Sequence, residues 1–285
     1  MATILFDGVA YGMLLFVLAC GLAVTLGLMN FVNLAHGAFA MAGGYITVIL
    51  MDRWGVPFLA CLPLAFLGPA AVGLLLERTL YRHMYGRGHL DHVLFSIGLV
   101  FVAVAATDYF LGSSQRNIHL PQWLQGRREI LGVSVGIYRS FLIVLCGALA
   151  LGLQIVLLRT RFGSRLRASV DDARVARGLG IPVGLIFAVT FAMGSGLAGL
   201  GGALGVELLG LDPYFPLKFM IYFLIVVTVG GTSGIMGPFV ASLMLGIADV
   251  AGKYYLSSAL GGFVIYLVLI AVLMVRPNGL FARAR

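Results

Sequence analysis

Charged residues are scarce in this sequence. Only 11% of its 285 residues are Asp, Glu, Lys or Arg, whereas 61% are hydrophobic. Soluble globular domains are about half apolar and about a quarter charged, so the composition excludes that class. The mean hydropathy is +1.04, and the apolar residues form long continuous runs instead of short alternating segments. These features predict an all-α polytopic membrane protein and argue against a transmembrane β-barrel.

Cysteine is rare as well, and it follows no ligand or disulfide spacing. Cys20, Cys61 and Cys146 lie singly inside apolar runs, where they read as small buried hydrophobic residues. His36 lies within a span, and no His, Cys or carboxylate stands near it at ligand spacing. We therefore predict no metal site.

Motifs for catalysis are missing too. The sequence contains no H-E-x-x-H, no G-x-S-x-G and no G-x-x-x-x-G-K-[ST] phosphate loop. Neither of its two lysines, Lys218 and Lys253, stands in the phosphate-loop pattern. We predict that the chain is not an enzyme, holds no cofactor and does not hydrolyse ATP itself. An intramembrane enzyme is disfavoured because no nucleophile can be paired with a base.

The apolar runs predict one transmembrane domain over residues 1–285, with about eight or nine segments. Those around 218–252 are short enough to be broken or re-entrant. The net charge of +8 comes from 17 Arg and 2 Lys, which cluster at span ends and report topology rather than nucleic-acid binding. The positive-inside rule predicts an extracytoplasmic N-terminus, a cytoplasmic C-terminus and an extracytoplasmic segment over 113–136.

Three acidic residues near span ends receive structural predictions. We expect Asp108 and Asp249 to reach the membrane interface rather than relay protons. We expect Glu77 to form a local pair with Arg78 at the inner end of its span.

The segment 159–182, called the basic segment below, is the longest polar interruption between two apolar spans that also carries a dense charge run. Its arginines outnumber its two aspartates, and the excess predicts a cytoplasmic location. These arginines are Arg159, Arg161, Arg165, Arg167, Arg174 and Arg177.

The middle of the basic segment predicts a short helix. Ser169 is the expected N-cap, with Asp171 and Asp172 in the first turn, where the helix dipole favours negative charge. Gly178 or Gly180 is expected to close the helix in the left-handed conformation. Arg174 and Arg177 would lie near its end, and Val170, Ala173 and Ala176 would form a small apolar face. On charge alone an ordinary solvated loop is the better interpretation, but caps and an apolar face together favour a helix that docks on a partner.

Two further stretches are interrupted by glycine and polar residues at membrane depth, one in each half of the chain. Paired interruptions of this kind indicate a transport site between internal repeats. The candidate path or gate residues are Asn30, Asn33, His36, Gly37, Gly43, Gly44, Tyr45, Thr228, Gly230, Gly231, Thr232, Ser233, Gly234 and Gly237. Close helix packing explains most membrane glycines, and capping explains the polar residues equally well, so both interpretations stay open.

Three stretches resemble one known family. GLMNFVNLAHGAFAMAGGY (27–45) is similar to a motif of branched-chain amino acid ABC importer permeases. RFGSRLRASVDDARVARGLGI (161–181) resembles their cytoplasmic coupling segment, and VTVGGTSGIMGPFVASLMLGI (227–247) their later glycine-rich motif. The C-terminal RPNGLFARAR also fits, and the details favour the LivH type of subunit over the LivM type.

This resemblance implies the permease of an importer in a bacterial inner membrane. The implied partners are two cytoplasmic ABC ATPase subunits that use ATP and Mg, a second permease subunit of the LivM type in a heterodimer, a periplasmic solute-binding protein and membrane lipid. The coupling segment departs from the family where relatives often carry an acidic residue before paired alanines, because this chain has Arg174, Val175 and Ala176 there.

The alternative function is a self-contained secondary transporter or channel for a small solute. It would need coupling-ion carboxylates near the membrane midplane, and the sequence offers no convincing one. The solute stays open among branched-chain amino acids and related small amino acids, amides or organic acids.

Overall fold

The computed structural model describes residues 1–29, 33–84, 86–130, 133–231 and 234–281. Within these ranges the chain is mainly helical. The helices are α1 (Ala2–Met29), α2 (His36–Trp54), α3 (Phe58–Thr79), α4 (His89–Leu111), α5 (Ile137–Arg159), α6 (Arg161–Asp171), α7 (Ala173–Gly178), α8 (Val183–Leu209), α9 (Phe215–Gly230), α10 (Met236–Tyr255), α11 (Ser258–Gly261) and α12 (Val264–Val275). One antiparallel hairpin, β1 (Arg127–Ile130) and β2 (Val133–Gly136), completes the described structure together with 3₁₀ turns at Tyr81–His83 and Gln122–Leu124.

The helix lengths agree with the predicted membrane protein. Five helices, α1, α3, α4, α5 and α8, are long and apolar enough to cross a bilayer, and α9 and α12 are shorter apolar helices. With α2 and α10, of 19 and 20 residues, the described ranges hold nine helices of at least 12 residues. Five of these nine meet the length and hydropathy of a membrane span.

Helices α1 and α8 form the centre of the bundle. Most of each helix is buried, whereas less than a third of the residues in the apolar windows of α3, α4 and α5 are buried, as expected of helices that face lipid or another subunit. Helix α8 packs against α1, α2 and α3. It can do so because its small residues let neighbouring backbones approach closely.

Two glycines show how close this approach is. A methyl group at Gly202 would overlap the backbone carbonyl of Ala40 in α2, and one at Gly199 would overlap the carbonyl of Ala65 in α3. From α2, Gly43 in turn faces the backbone of Gly199. Glycine therefore sets the spacing between α8 and both neighbours.

The segment between α4 and α5 packs on the bundle. Ile118, Leu120 and Leu124 are buried, and Arg116 exchanges two backbone hydrogen bonds with Leu211, of 2.7 and 3.0 Å. Next to it, the Tyr138 hydroxyl donates a 2.7 Å hydrogen bond to the carbonyl of Leu204. The start of α5 is thereby fixed to the end of α8.

Two helices begin only after a turn or a short separate helix. Helix α2 begins at His36, after a turn over residues 33–35, and α12 begins at Val264, after the short helix α11. The predicted pair of Glu77 and Arg78 is confirmed, with 3.9 Å between Oε2 and Nε.

Candidate functional site

The basic segment folds into two helices joined at an extended residue. Thr160 caps α6 by accepting from the Gly163 backbone N–H at 3.2 Å. Asp172 then adopts φ −152° and ψ 102° and caps α7, its Oδ1 accepting from the N–H groups of Arg174 at 2.8 Å and Val175 at 3.0 Å. A carboxylate at this position accepts hydrogen bonds from the free N–H groups of the first turn, and its negative charge is stabilised by the positive end of the helix dipole.

The predicted cap at Ser169 is wrong. Ser169 lies inside α6, is buried, and donates its hydroxyl hydrogen to the Arg165 carbonyl at 2.8 Å. Asp171 is the last residue of α6, so the prediction that it belongs to the first turn of the coupling helix is also wrong. The reason is that the helix started by Thr160 continues through Ser169 and breaks only at Asp172.

The predicted glycine closure of α7 is confirmed at Gly180. Gly180 has φ +78°, its N–H donates to the Arg177 carbonyl at 3.0 Å, and the N–H of Ile181 donates to the Ala176 carbonyl at 3.0 Å. This pair of bonds is a Schellman motif. Gly178 is the last helical residue and does not act as the cap.

Helix α7 offers apolar surface on a fixed base. Ala176 is 1% exposed and holds the helix against the bundle, with Ala173 half-buried beside it. Val175 is 57% and Leu179 is 75% exposed. Arg174 and Arg177, on the same short helix, are exposed too, so apolar and cationic groups both face outward.

Helix α6 ties this surface to the membrane helices. Leu166 is fully buried, a methyl group at Gly163 would overlap the Leu157 carbonyl of α5, and Arg167 donates to that same carbonyl. A force applied to α6 would therefore be passed directly to α5, and a force applied to α7 would reach α5 through α6.

The first interrupted stretch is tightly packed. The Asn33 Oδ1 accepts from the Ala35 N–H at 3.2 Å and from the Tyr81 hydroxyl at 2.9 Å. His36 is buried, donates from Nε2 to the Leu18 carbonyl at 2.8 Å, and lies edge-on to Phe223 of α9, with 6.2 Å between ring centroids. His36 thus faces the bundle interior, as polar residues within spans tend to do.

The glycines of this stretch are helical and closely packed. A methyl group at Gly37 would lie 2.9 Å from Cα of Pro216, and one at Gly44 would lie 3.0 Å from the Leu211 side chain. Gly43 and Gly44 therefore do not break α2, contrary to the expected interruption. Tyr45 is buried beside a cavity of about 270 Å³ that Asp52 and Arg116 also line. Asn30 lies outside the described residues.

The second interrupted stretch contains a true break between α9 and α10. Gly231 has φ +85° and Gly234 has φ +156°, while Gly237 packs directly on the Gly230 backbone. Thr228 is half-buried near the end of α9. Thr232 and Ser233 lie outside the described residues.

The C-terminal segment closes this break, which the sequence did not indicate. The N–H groups of Leu280 and Phe281 donate to the carbonyls of Val229 at 2.8 Å and Gly230 at 3.3 Å. Gly279 has φ +89°, and a methyl group there would lie 2.7 Å from the Gly231 backbone. The tail thus satisfies carbonyl groups that the end of α9 leaves without helical partners.

The second break also lies next to the basic segment. A cavity of about 230 Å³ is lined by Leu157, Gly163 and Leu166 on one side and by Gly234 and Ile235 on the other. The structure therefore brings one predicted path segment beside the predicted coupling segment. The first interrupted stretch contacts the helix that precedes this break, because His36 packs edge-on to Phe223 of α9.

A polar group at the opposite end of the bundle was missed. Asp249, expected at the membrane interface, is 1% exposed and accepts a 2.6 Å hydrogen bond from Lys253. Asp7 pairs with Arg139 close by. The i,i+4 spacing of Asp249 and Lys253 could have predicted their ion pair from the sequence. Asp7 and Arg139 are too far apart in sequence for such a prediction. Among the described residues no group of three or more His, Cys, Asp or Glu could hold a metal ion.

The bundle of apolar helices and its breaks define a multi-pass helical membrane protein. A family model described as "Branched-chain amino acid transport system / permease component" matches residues 4–273. The chain belongs to this permease family, which confirms the resemblance seen in its motifs.

Individual relatives agree with this placement. The chain is 27% identical to the high-affinity branched-chain amino acid transport system permease protein LivH of Escherichia coli K12, over 98% of this chain and 94% of the relative. It is 30% identical to a probable LivH permease of Methanocaldococcus jannaschii, over 97% and 91%. The match to LivM of Salmonella typhimurium is 25% identical and covers 96% of this chain but 69% of the relative. The LivH-type assignment is confirmed, and the relatives are transport permease subunits rather than enzymes.

Proposed function

We propose that this chain is a transmembrane subunit of an ATP-binding-cassette importer in a bacterial inner membrane. Its cargo would be branched-chain amino acids or a related small amino acid, amide or organic acid. The family membership supports transport, and the observation that carries the ATP-driven mechanism is the surface of α7. This helix is capped at both ends and is fixed to the bundle by Ala176. Its exposed side chains Val175 and Leu179 provide an apolar surface that a protein partner can bind.

The partners follow from that mechanism. Two ATPase subunits in the cytoplasm bind ATP and Mg and dock on α7 of this chain and on its counterpart in a second, LivM-type permease subunit. A periplasmic binding protein delivers the solute at the other end. This arrangement places the N-terminus outside and the C-terminus inside.

The force follows a path of direct contacts. When the ATPases close, they shift α7 and α6, and α6 carries α5 with it because Arg167 and Gly163 are packed on the Leu157 carbonyl. The same movement changes the cavity between α6 and the break at Gly234. Access to a path lined by parts of Asn30–Tyr45 and Thr228–Gly237 would alternate in response.

Uptake into sealed vesicles tests the proposal. The permease pair, its ATPases and its binding protein would be reconstituted together, and leucine uptake would be measured with ATP, with a non-hydrolysable ATP analogue, or with a proton or sodium gradient. We expect uptake with ATP only, because the energy comes from hydrolysis by the partner subunits. Gradient-driven uptake by this chain alone would overturn the proposal in favour of a secondary transporter.

A further inference from the structure

A cavity of about 270 Å³ lies between the end of α2 and the end of α4. Arg116 lines it and exchanges backbone hydrogen bonds with Leu211, which lies just after the end of α8. The basic segment instead leads into the start of α8, about 40 Å away along this 27-residue helix at about 1.5 Å per residue. The cavity is therefore at the end of the bundle away from the basic segment.

Exposed aromatic residues mark the depth of this cavity in the membrane. Trp54 ends α2, Tyr109 lies in the last turn of α4, and Trp123 follows in the segment 113–136, and all three are exposed. Trp and Tyr are enriched where a chain passes from the hydrocarbon to the lipid headgroups. Arg53 and Phe110, which line the cavity, are their direct neighbours in sequence. The cavity therefore lies at the level of the headgroups.

The end of α4 that forms one wall stands away from the bundle. Val104 is buried, but no residue of α4 after it is. Ala103, Ala106 and Phe110 share one face of the helix by their i, i+3 and i+7 spacing, and both Ala106 and Phe110 are exposed. Because alanine is small, this face leaves room for an acyl chain directly below the cavity.

The polar side of the cavity carries a net positive charge. Arg53, Arg116 and Asp52 line it, so two cations and one anion give a net charge of +1. Arg116 Nη2 donates to the carbonyl of Leu111 at 3.2 Å, and Leu111 also lines the cavity, which holds the guanidinium group there. Within the described part of the chain, none of the three charged groups forms an ion pair.

These groups select the chemistry of a ligand. Guanidinium groups bind phosphate oxygens through paired N–H donors, and a singly charged phosphodiester between Arg53 and Arg116 would cancel the net charge. The Asp52 carboxylate only accepts hydrogen bonds, so it requires a donor on the same ligand. A phosphodiester that carries hydroxyl groups satisfies both requirements.

We propose that this cavity binds the headgroup of phosphatidylglycerol from the membrane leaflet at this end of the bundle. The phosphodiester accepts from Arg53 and Arg116, the glycerol hydroxyls donate to Asp52, and an acyl chain lies along Ala103 and Ala106. The bound lipid thereby joins the end of α2 to the segment that follows α4. The inference goes beyond the proposed function, because it needs neither the solute nor the ATPases.

Lipid binding to the purified, delipidated permease tests the site. Dioleoyl phosphatidylglycerol and dioleoyl phosphatidylcholine would each be titrated in a non-ionic detergent at one salt concentration, with bound lipid counted by native mass spectrometry. We expect the first phosphatidylglycerol to bind at least about tenfold more tightly, because phosphatidylcholine has no net charge and no hydroxyl donor in its headgroup. Equal affinities for the two lipids would overturn the site.

Matched variants locate the binding. Arg53→Gln and Arg116→Gln should each weaken phosphatidylglycerol binding about tenfold, as expected for the loss of hydrogen bonds to a charged group. Arg128→Gln removes the same charge at an exposed position of the segment 113–136 that does not line the cavity, and should bind as the wild type does. Unchanged affinity for phosphatidylcholine would show that the variants are folded. An equal loss in all three variants, or none in the first two, would overturn the proposal.

Two further ligands distinguish the source of the phosphate and the headgroup. Glycerophosphoglycerol is the same headgroup without acyl chains, and it should bind at least about tenfold more weakly because it buries no apolar surface on α4. Equal affinity would assign the cavity to a soluble phosphate ester and overturn the lipid. Tighter binding of dioleoyl phosphatidylethanolamine than of phosphatidylglycerol would overturn the singly charged headgroup in favour of an amine bound to Asp52.

Discussion

Replacing Gly202 with alanine should prevent this protein from folding stably in the membrane. The added methyl group would overlap the Ala40 carbonyl, which belongs to the backbone of α2 and cannot rotate away as a side chain can. Relief requires α2 and α8 to separate, and overpacking in a close-packed interior typically costs about 1–3 kcal/mol or more. Because α8 also packs on α1 and α3, a shift at Gly202 disturbs the centre of the bundle.

The measurement is the yield of monodisperse protein after extraction, together with its thermal unfolding midpoint. Gly205→Ala is the matched control, because it makes the same chemical change on the same helix. Its methyl group would meet the flexible Leu209 side chain at 3.3 Å, and we expect near-normal yield. Equal behaviour of the two variants would show that the α2–α8 crossing does not depend on Gly202.

Replacing both Val175 and Leu179 with aspartate should reduce ATP-driven uptake at least about tenfold while leaving the permease folded. Both side chains are more than half exposed, so the folded chain tolerates the charges. In a contact with an ATPase, each carboxylate would be desolvated without a partner, and one such loss is enough for a tenfold effect.

The control for this variant keeps the change of charge and moves it away from α7. Arg87→Asp alters the net charge by the same two units at an exposed position between α3 and α4. We expect it to transport at nearly the wild-type rate. Uptake by the double variant at the rate of this control would mean that α7 does not carry the coupling.

The apolar helices were predictable because lipid imposes a simple rule on sequence. A run of about 20 apolar residues must be helical to satisfy its backbone in hydrocarbon. Helix α7 was predictable for a similar local reason, since Gly180 and the nearby aspartates carry strong cap signals. Which of Ser169 and Asp172 caps α7 could not be predicted from the sequence, because the answer depends on how far α6 extends.

Contacts between distant parts of the chain could not be predicted from the sequence. Nothing near Gly279 indicates that the tail pairs with Val229 and Gly230. Asp249 looked like an interface residue because its span position was known and its neighbours were not. Its burial depends on α1 and α9, because Tyr11 of α1 and Tyr222 of α9 line one cavity together with Asp249. Long-range packing of this kind is decided by the folded bundle as a whole.

Thiol accessibility at α7 tests the central claim most directly. The native cysteines, Cys20, Cys61 and Cys146, are at most 1% exposed, so Val175→Cys would supply the one exposed thiol among the described residues. We expect this thiol to react rapidly with a water-soluble maleimide in the permease pair alone and at least about tenfold more slowly once the ATPases are bound, since a covered site reacts only when the complex opens. Equal rates with and without bound ATPases would contradict the claim that the importer is driven through this helix.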